Sequence, residues 1–200
     1  MITRRKLLTG IPAVGSVLLT GCKDSLPPTF GSLFDASNSL TFATHRMLLR
    51  NQPLVREFTR DRITKNFPAI NETNPKSDRY QHLLAGSFAE WTGVPLGRVL
   101  QEAGMLPQAR YIVFHTVDGW WDSLDMFDAL HPQTLLAYGM NGGALPVAHG
   151  APVRLRVERQ LGYKSLKYLS RIDVTDRLAD VEDGTGAVGA AYGYSWYAGI

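Results

Sequence analysis

The sequence contains one cysteine, Cys22, among its 200 residues. A single cysteine excludes an intrachain disulfide, and the paired cysteine and histidine spacings of zinc sites and attached haem are missing. There is no P-loop motif and no internal repeat. These absences exclude disulfide-stabilised scaffolds, zinc-ribbon folds, c-type haem proteins, P-loop nucleotidases and repeat proteins.

Acidic residues are missing from the amino-terminal stretch that holds Arg4, Arg5 and Lys6. The remaining 18 Lys and Arg residues equal the 18 Asp and Glu residues, so the mature chain is near neutral. The small positive net charge of the whole sequence therefore gives no reason to expect a nucleic-acid partner.

The apolar run after Lys6 is too short to span a membrane and has the proportions of a signal peptide. Its paired arginines resemble a twin-arginine signal, which exports folded cargo. We therefore predict a signal peptide over residues 1–21 and a periplasmic location.

The segment Leu19-Thr20-Gly21-Cys22 also matches the lipoprotein box, in which small residues precede a cysteine that becomes lipidated. A plain signal peptide with an incidental cysteine is the less favoured alternative, because both the position and the flanking residues fit the box. We expect a lipid anchor on Cys22, a tether over residues 22–39 and one folded domain over residues 40–200.

Hydrophobic periodicity predicts short helices and strands in that domain. Helices are predicted over 92–105 and 123–130, strands over 111–116, 134–138 and 153–158, and a hairpin turn at Asn141-Gly142. A second alternating run begins at Ser165, and its expected buried residues are Leu166, Tyr168, Ile172 and Val174.

Apolar and charged residues alternate strictly from Val153 to Glu158, which predicts one buried and one charged face. Polar and cationic donors surround this strand at His149, Arg154, Lys164 and Lys167. Guanidinium, ammonium and loop N–H groups together suit a phosphorylated ligand with many acceptor atoms. The alternative is an exposed basic hairpin, because most charge runs are solvated.

The motif His-Gly-x-Pro-x-Arg from His149 to Arg154, followed by Gly-Tyr-Lys-Ser-Leu-Lys from Gly162 to Lys167, resembles the cofactor-binding core of molybdopterin oxidoreductases of the sulfite oxidase and methionine sulfoxide reductase type. The resemblance continues in Trp91-Thr92-Gly93-Val94-Pro95-Leu96, in the segment from His131 to Gly142 and in the last residues, Trp196 to Ile200. It covers roughly half of the chain, in the order that the family uses.

The resemblance implies an α+β fold, a mixed, β-sheet-rich molybdopterin-binding domain with short helices. The cofactor-binding residues that it implies are Thr116, His149, Arg154, Lys164, Ser165, Leu166 and Lys167. The cations among them would hold the phosphate and the pterin edge, and backbone N–H groups from Ser165 to Lys167 would add donors. Thr116 and His149 would orient the pterin.

The implied activity is oxygen-atom transfer on a small sulfoxide or sulfite-like substrate, with molybdenum–molybdopterin as the cofactor. Electrons would be exchanged with a separate haem- or quinone-linked membrane partner, because the chain has no haem motif.

The metal-ligating cysteine of the family has no counterpart in this sequence. In the family it lies on a strand shortly before the Trp-Thr-Gly segment, whereas here Phe88-Ala89-Glu90 runs directly into Trp91. The resemblance therefore implies an internally truncated domain, in which neither Ser87 nor Glu90 replaces the thiolate. The alternative function is that of a non-catalytic, degenerate lipoprotein that keeps the molybdopterin fold.

Overall fold

The computed structural model describes residues 33–51, 53–65, 67–69 and 88–200. The predicted signal peptide, Cys22 and Ser87 lie outside the described residues. The described residues form two compact units. The described part of the smaller unit is 33–51, 53 and 177–199, and that of the larger unit is 54–65, 67–69 and 88–176 with Ile200. The predicted domain boundaries remain a prediction.

The smaller unit is built on helix α1, Leu33–Leu48. Phe42 is buried, and its ring packs on Trp196 and Tyr197 with centroid separations of 5.7 and 5.0 Å. His45 Nδ1 lies 3.0 Å from the Tyr197 hydroxyl. Residues 33–39, which the predicted tether included, form the first part of α1. No helix in the described part of the chain is long and apolar enough to cross a membrane.

The larger unit contains two antiparallel sheets and two short helices. Its elements are β1 Trp91–Pro95, α2 Leu96–Glu102, β2 Tyr111–Thr116, β3 Trp121–Asp125, α3 Met126–Ala129, β4 Leu135–Met140, β5 Gly143–Ala144, β6 Arg154–Arg156 and β7 Leu169–Thr175. In the first sheet β4 pairs with β1, β5 and β6, and in the second sheet β2 lies between β3 and β7. The α+β class is confirmed.

One apolar core lies against both sheets. Phe114 of β2, Leu155 of β6 and Leu96 of α2 are fully buried in it. Leu166 also belongs to this core, whereas Val174, which was expected to be buried, is 43% exposed. The exposure that the basic-hairpin alternative requires is not found, because Arg154 and Lys164 are buried. The two runs do hydrogen-bond to each other, from the Leu155 N–H to the Leu166 carbonyl at 2.8 Å and from the Leu169 N–H to the Val153 carbonyl at 3.0 Å. Strand β6 also pairs with β4, and β7 pairs with β2.

Two predicted helices begin later than their sequences indicated. Trp91–Pro95 pairs with β4, so the helix predicted from residue 92 begins only at Leu96. Residues 123–125 belong to β3, and Asp125 then caps α3 by accepting a hydrogen bond of 3.1 Å from the Asp128 N–H. The predicted strands over 111–116 and 134–138 and the turn at Asn141-Gly142 are confirmed.

Candidate anion-binding site

Gly150 brings two separate segments of the site into contact. It follows a short 3-10 turn, Val147–His149, and has a φ of 105°, which favours glycine. A Cβ at this position would lie 2.8 Å from the Cβ of Lys167, so only glycine allows this approach. Across the contact, Lys167 Nζ donates a hydrogen bond of 2.9 Å to the Ala148 carbonyl.

The guanidinium group of Arg154 joins the same two segments. Its Nη1 donates to the His149 carbonyl at 2.9 Å, and its Nη2 donates to the Ser165 carbonyl at 2.8 Å. The side chain is buried, with 7% of the residue exposed. Arg154 therefore fixes the spacing of the two motifs that the sequence singled out, and it does so through main-chain atoms.

Arg154 differs from the two other buried cations of the described chain in having no carboxylate partner. Lys164 binds Asp122 and donates to the Ser123 carbonyl at 2.8 Å, and Arg159 lies 3.7 Å from Asp128. No described carboxylate lies within salt-bridge distance of Arg154, and burial lowers its pKa to about 10. A buried cation without a counter-charge is costly, so this position favours an anionic ligand.

Lys167 adds a further positive charge to the site, and His149 adds one only when it is protonated. Burial lowers the pKa of Lys167, and the charge of Arg154 lowers it further. Burial also lowers the pKa of His149, followed by the charge of Lys167, while a hydrogen bond to the main chain of Phe67 opposes the shift. An anion between these groups would relieve their mutual repulsion.

The ammonium group of Lys164 is almost fully buried and binds Asp122. The predicted role of Lys164 in holding the phosphate remains a prediction. Burial raises the pKa of Asp122, and the neighbouring Lys164 opposes that rise. Asp122 shares one face of β3 with the buried Leu124. This burial was not predicted, because residues 123–130 were interpreted as a helix.

The loop from Ser165 to Lys167 offers fewer donors than expected. The N–H of Ser165 donates to the Gly162 carbonyl at 3.0 Å, and its hydroxyl accepts a hydrogen bond from the Val157 N–H. Ser165 is therefore a scaffold for Arg154, and its N–H is not a donor for a ligand. The Leu166 N–H makes no hydrogen bond to a described residue, so it remains a candidate donor.

Thr116 lies beside this loop at the end of β2. The Val117 N–H donates to the Tyr168 carbonyl at 3.0 Å, which places Thr116 near the residue that follows Lys167. The Thr116 hydroxyl is engaged locally, with the Asp118 carboxylate and the Trp120 carbonyl. Its role in orienting a pterin remains a prediction.

The resulting cluster is suited to holding a phosphorylated organic group. It combines a guanidinium, an ammonium, an imidazole and a main-chain N–H. No described carboxylate lies within salt-bridge distance of the guanidinium, and the charge of Glu158 acts on it only from farther away. Among the described residues, no group of three or more His, Cys, Asp or Glu side chains is arranged to hold a metal ion.

Comparison with known proteins gives one family match and several partial relatives. Residues 69–181 match the oxidoreductase molybdopterin binding domain. A chain named as a protein-methionine-sulfoxide reductase subunit in Azospira oryzae is 35% identical over 113 residues, which are 56% of this chain and 41% of that protein. The protein-methionine-sulfoxide reductase catalytic subunit of Xanthomonas campestris is 34% identical over 105 residues, 45% of this chain and 33% of the relative.

A solved structure, the sulfane dehydrogenase SoxCD of Paracoccus pantotrophus, shares 29% identity over 50% of this chain and 24% of its own, with a TM-score of 0.43. The chain thus spans less than half the length of the relatives that it matches.

Proposed function

Because the chain belongs to the oxidoreductase molybdopterin binding domain family, we propose that it is the cofactor-binding part of a molybdopterin-dependent oxidoreductase of the sulfite oxidase type. Molybdopterin, with its molybdenum, is the cofactor of the family. The observation that carries the proposal is the burial of Arg154 inside the matched segment, with no described carboxylate at salt-bridge distance. A phosphorylated pterin would supply the missing negative charge.

Each group of the cluster has a distinct task in this proposal. Arg154 and Lys167 bind the phosphate and the pterin edge, and the Leu166 N–H adds a donor. His149 orients the ligand, and its positive charge adds to the attraction when it is protonated. Lys164 and Asp122 support the loop from the core side.

The bound cofactor supplies the oxygen-atom transfer itself. Reduction of a sulfoxide to a thioether and water consumes two electrons and two protons, so a separate electron donor is required. Oxidation of a sulfite-like molecule releases two electrons instead, so it requires an electron acceptor. We propose a small sulfoxide or sulfite-like molecule as the substrate and a haem- or quinone-linked membrane protein as the partner that donates electrons in the first case and accepts them in the second. The similarity to protein-methionine-sulfoxide reductase subunits supports this substrate class.

The test compares two arginine variants of the full chain, produced in a host that makes molybdopterin. We expect Arg154→Ala to lose most bound pterin, because the buried anion site loses its main cation. Arg171→Ala is the matched control, since Arg171 is largely exposed and pairs with Asp173 at 2.9 Å. Pterin and molybdenum per chain are measured after purification. Equal losses in both variants would show that the cations form only a generic basic surface.

A non-catalytic role is the second candidate, and one observation favours it. The only cysteine, Cys22, lies outside the family match, so the matched segment offers no thiolate for a metal. In this case the purified chain holds pterin but reduces no methionine sulfoxide with a reduced dye as electron donor. Sulfoxide reduction by molybdenum-loaded protein would exclude this candidate.

We further propose that the protein is exported and anchored to a membrane by a lipid on Cys22. The paired arginines at Arg4 and Arg5 and the residues preceding Cys22 support this proposal. Export of a folded chain is compatible with loading of the cofactor in the cytoplasm.

A further inference from the structure

We propose that Trp91 is a positioning residue of the anion site, whose ring holds Arg154 in place while leaving its charge available. This inference rests on the proposed cofactor site. It concerns the contact that stabilises buried Arg154, which has no described carboxylate at salt-bridge distance.

Trp91 is the first residue of β1 and lies opposite Met140 in the sheet. The guanidinium carbon of Arg154 is 4.9 Å from the centre of the Trp91 ring, and that of Arg156 is 4.7 Å away. Both separations are within the range of cation–π attraction. The ring therefore contacts two arginines of the same short strand.

Only one of these two arginines keeps its charge for a ligand. Arg156 donates to Glu158 Oε1 from Nη2 at 2.7 Å and from Nε at 3.1 Å, so its charge is balanced. Arg154 donates hydrogen bonds only to neutral carbonyl oxygens in the described chain. One of these is the Leu155 carbonyl, at 3.5 Å. A carboxylate in place of Trp91 would neutralise Arg154, whereas the quadrupole of an indole ring attracts the cation without cancelling its charge.

The ring also fixes the orientation of the guanidinium plane before a ligand arrives. Arginine has a long, flexible side chain, and ordering such a side chain on binding lowers affinity. In Arg154, the edge of the guanidinium group donates hydrogen bonds to two carbonyl oxygens, and its face contacts the Trp91 ring. Affinity for an anion should therefore depend on the ring, although the ring need not touch the anion.

The experiment uses sulfate as the probe, added to the purified full chain without cofactor, with binding measured by calorimetry and by tryptophan fluorescence. We expect Trp91→Leu to weaken sulfate binding by about 10-fold, in line with a desolvated cation–π contact. Trp91→Phe keeps a ring and should stay within about 3-fold of the unaltered chain. Its fluorescence response to sulfate should nevertheless disappear, whereas Trp121→Phe should keep the response.

The outcomes separate this inference from the proposed site. If Arg154→Ala binds sulfate as well as the unaltered chain does, the proposed site itself is wrong. If binding needs Arg154 but Trp91→Leu leaves it unchanged, the positioning role of Trp91 is overturned. Should Trp91→Leu fail to fold, Trp91→Met gives the same comparison, because methionine fills irregular gaps without a ring. Loss of affinity in Trp91→Phe as great as in the aliphatic variant would also contradict the proposal.

Discussion

Replacement of Asp122 by Asn should destabilise the larger unit severely. Asp122 and Lys164 are both almost fully buried, with 3% and 1% of their side chains exposed. Asn keeps the shape of the carboxylate but leaves the ammonium group of Lys164 without a counter-charge. Removing one partner of a buried ion pair costs about 3–5 kcal/mol.

The matched control is Glu90→Gln, which breaks the Arg60–Glu90 pair in the same unit. The side chain of Arg60 is 83% exposed, and exposed pairs contribute about 0–1 kcal/mol. Combining Asp122→Asn with Lys164→Met removes the charge from both positions and should recover most of the loss. Unfolding by urea, followed by the fluorescence of the tryptophans, measures these differences.

Lys164→Met alone adds a test of pH dependence. The pKa of Asp122 is already raised by burial above its usual 3.8, and loss of the opposing lysine should raise it further. The native state of this variant then holds a proton that the unfolded state releases, so stability is lost as pH rises through the folded pKa. The reasoning is refuted if Asp122→Asn costs no more than Glu90→Gln, or if Lys164→Met shows no greater loss of stability with rising pH.

Three further results are expected. Gly150→Ala should lower both stability and sulfate affinity, because a Cβ there would collide with Lys167. Gly162→Ala is the control, because a Cβ at that position would have no atom within 4 Å. This control should be neutral in thermal unfolding and in sulfate titration. Sulfate affinity should rise as pH falls through the pKa of His149, which lies below 6.5. In His149→Gln, sulfate titrations between pH 7 and 5 should show no such rise in affinity. Cys22→Ser should abolish fatty-acid labelling, and labelling that survives would contradict the lipid anchor.

Local patterns singled out two motifs that the fold brings together, but they did not predict every strand around them. The motifs at His149 and Gly162 lie against one another because Arg154 bonds to both and Gly150 allows their close approach. Strand β1 was missed because Trp91–Pro95 owes its extended form to pairing with β4, a contact that no local window contains.

The roles of the cations depended on information of the same long-range kind. Lys164 and Arg154 look equivalent in the sequence, and only the fold gives a carboxylate to the first and an indole ring to the second. Asp122 and Trp91 are distant from both motifs along the chain. Their importance follows from the register of β3 and β1, which the sequence pattern did not determine.

The strand pairing of the larger unit has a consequence for how the protein acquires its ligand. Thr175 of β7 pairs with Tyr111 of β2, and Arg154 of β6 pairs with Ala137 of β4, which pairs in turn with Gly93. Such distant pairings raise the contact order of a chain and slow its folding, because long loops must close before any contact forms. The anion cluster depends on both sheets, so it exists only in chains whose strands have paired. A cofactor that binds there would bind folded chains in preference to partly folded ones, and its binding would stabilise the folded state.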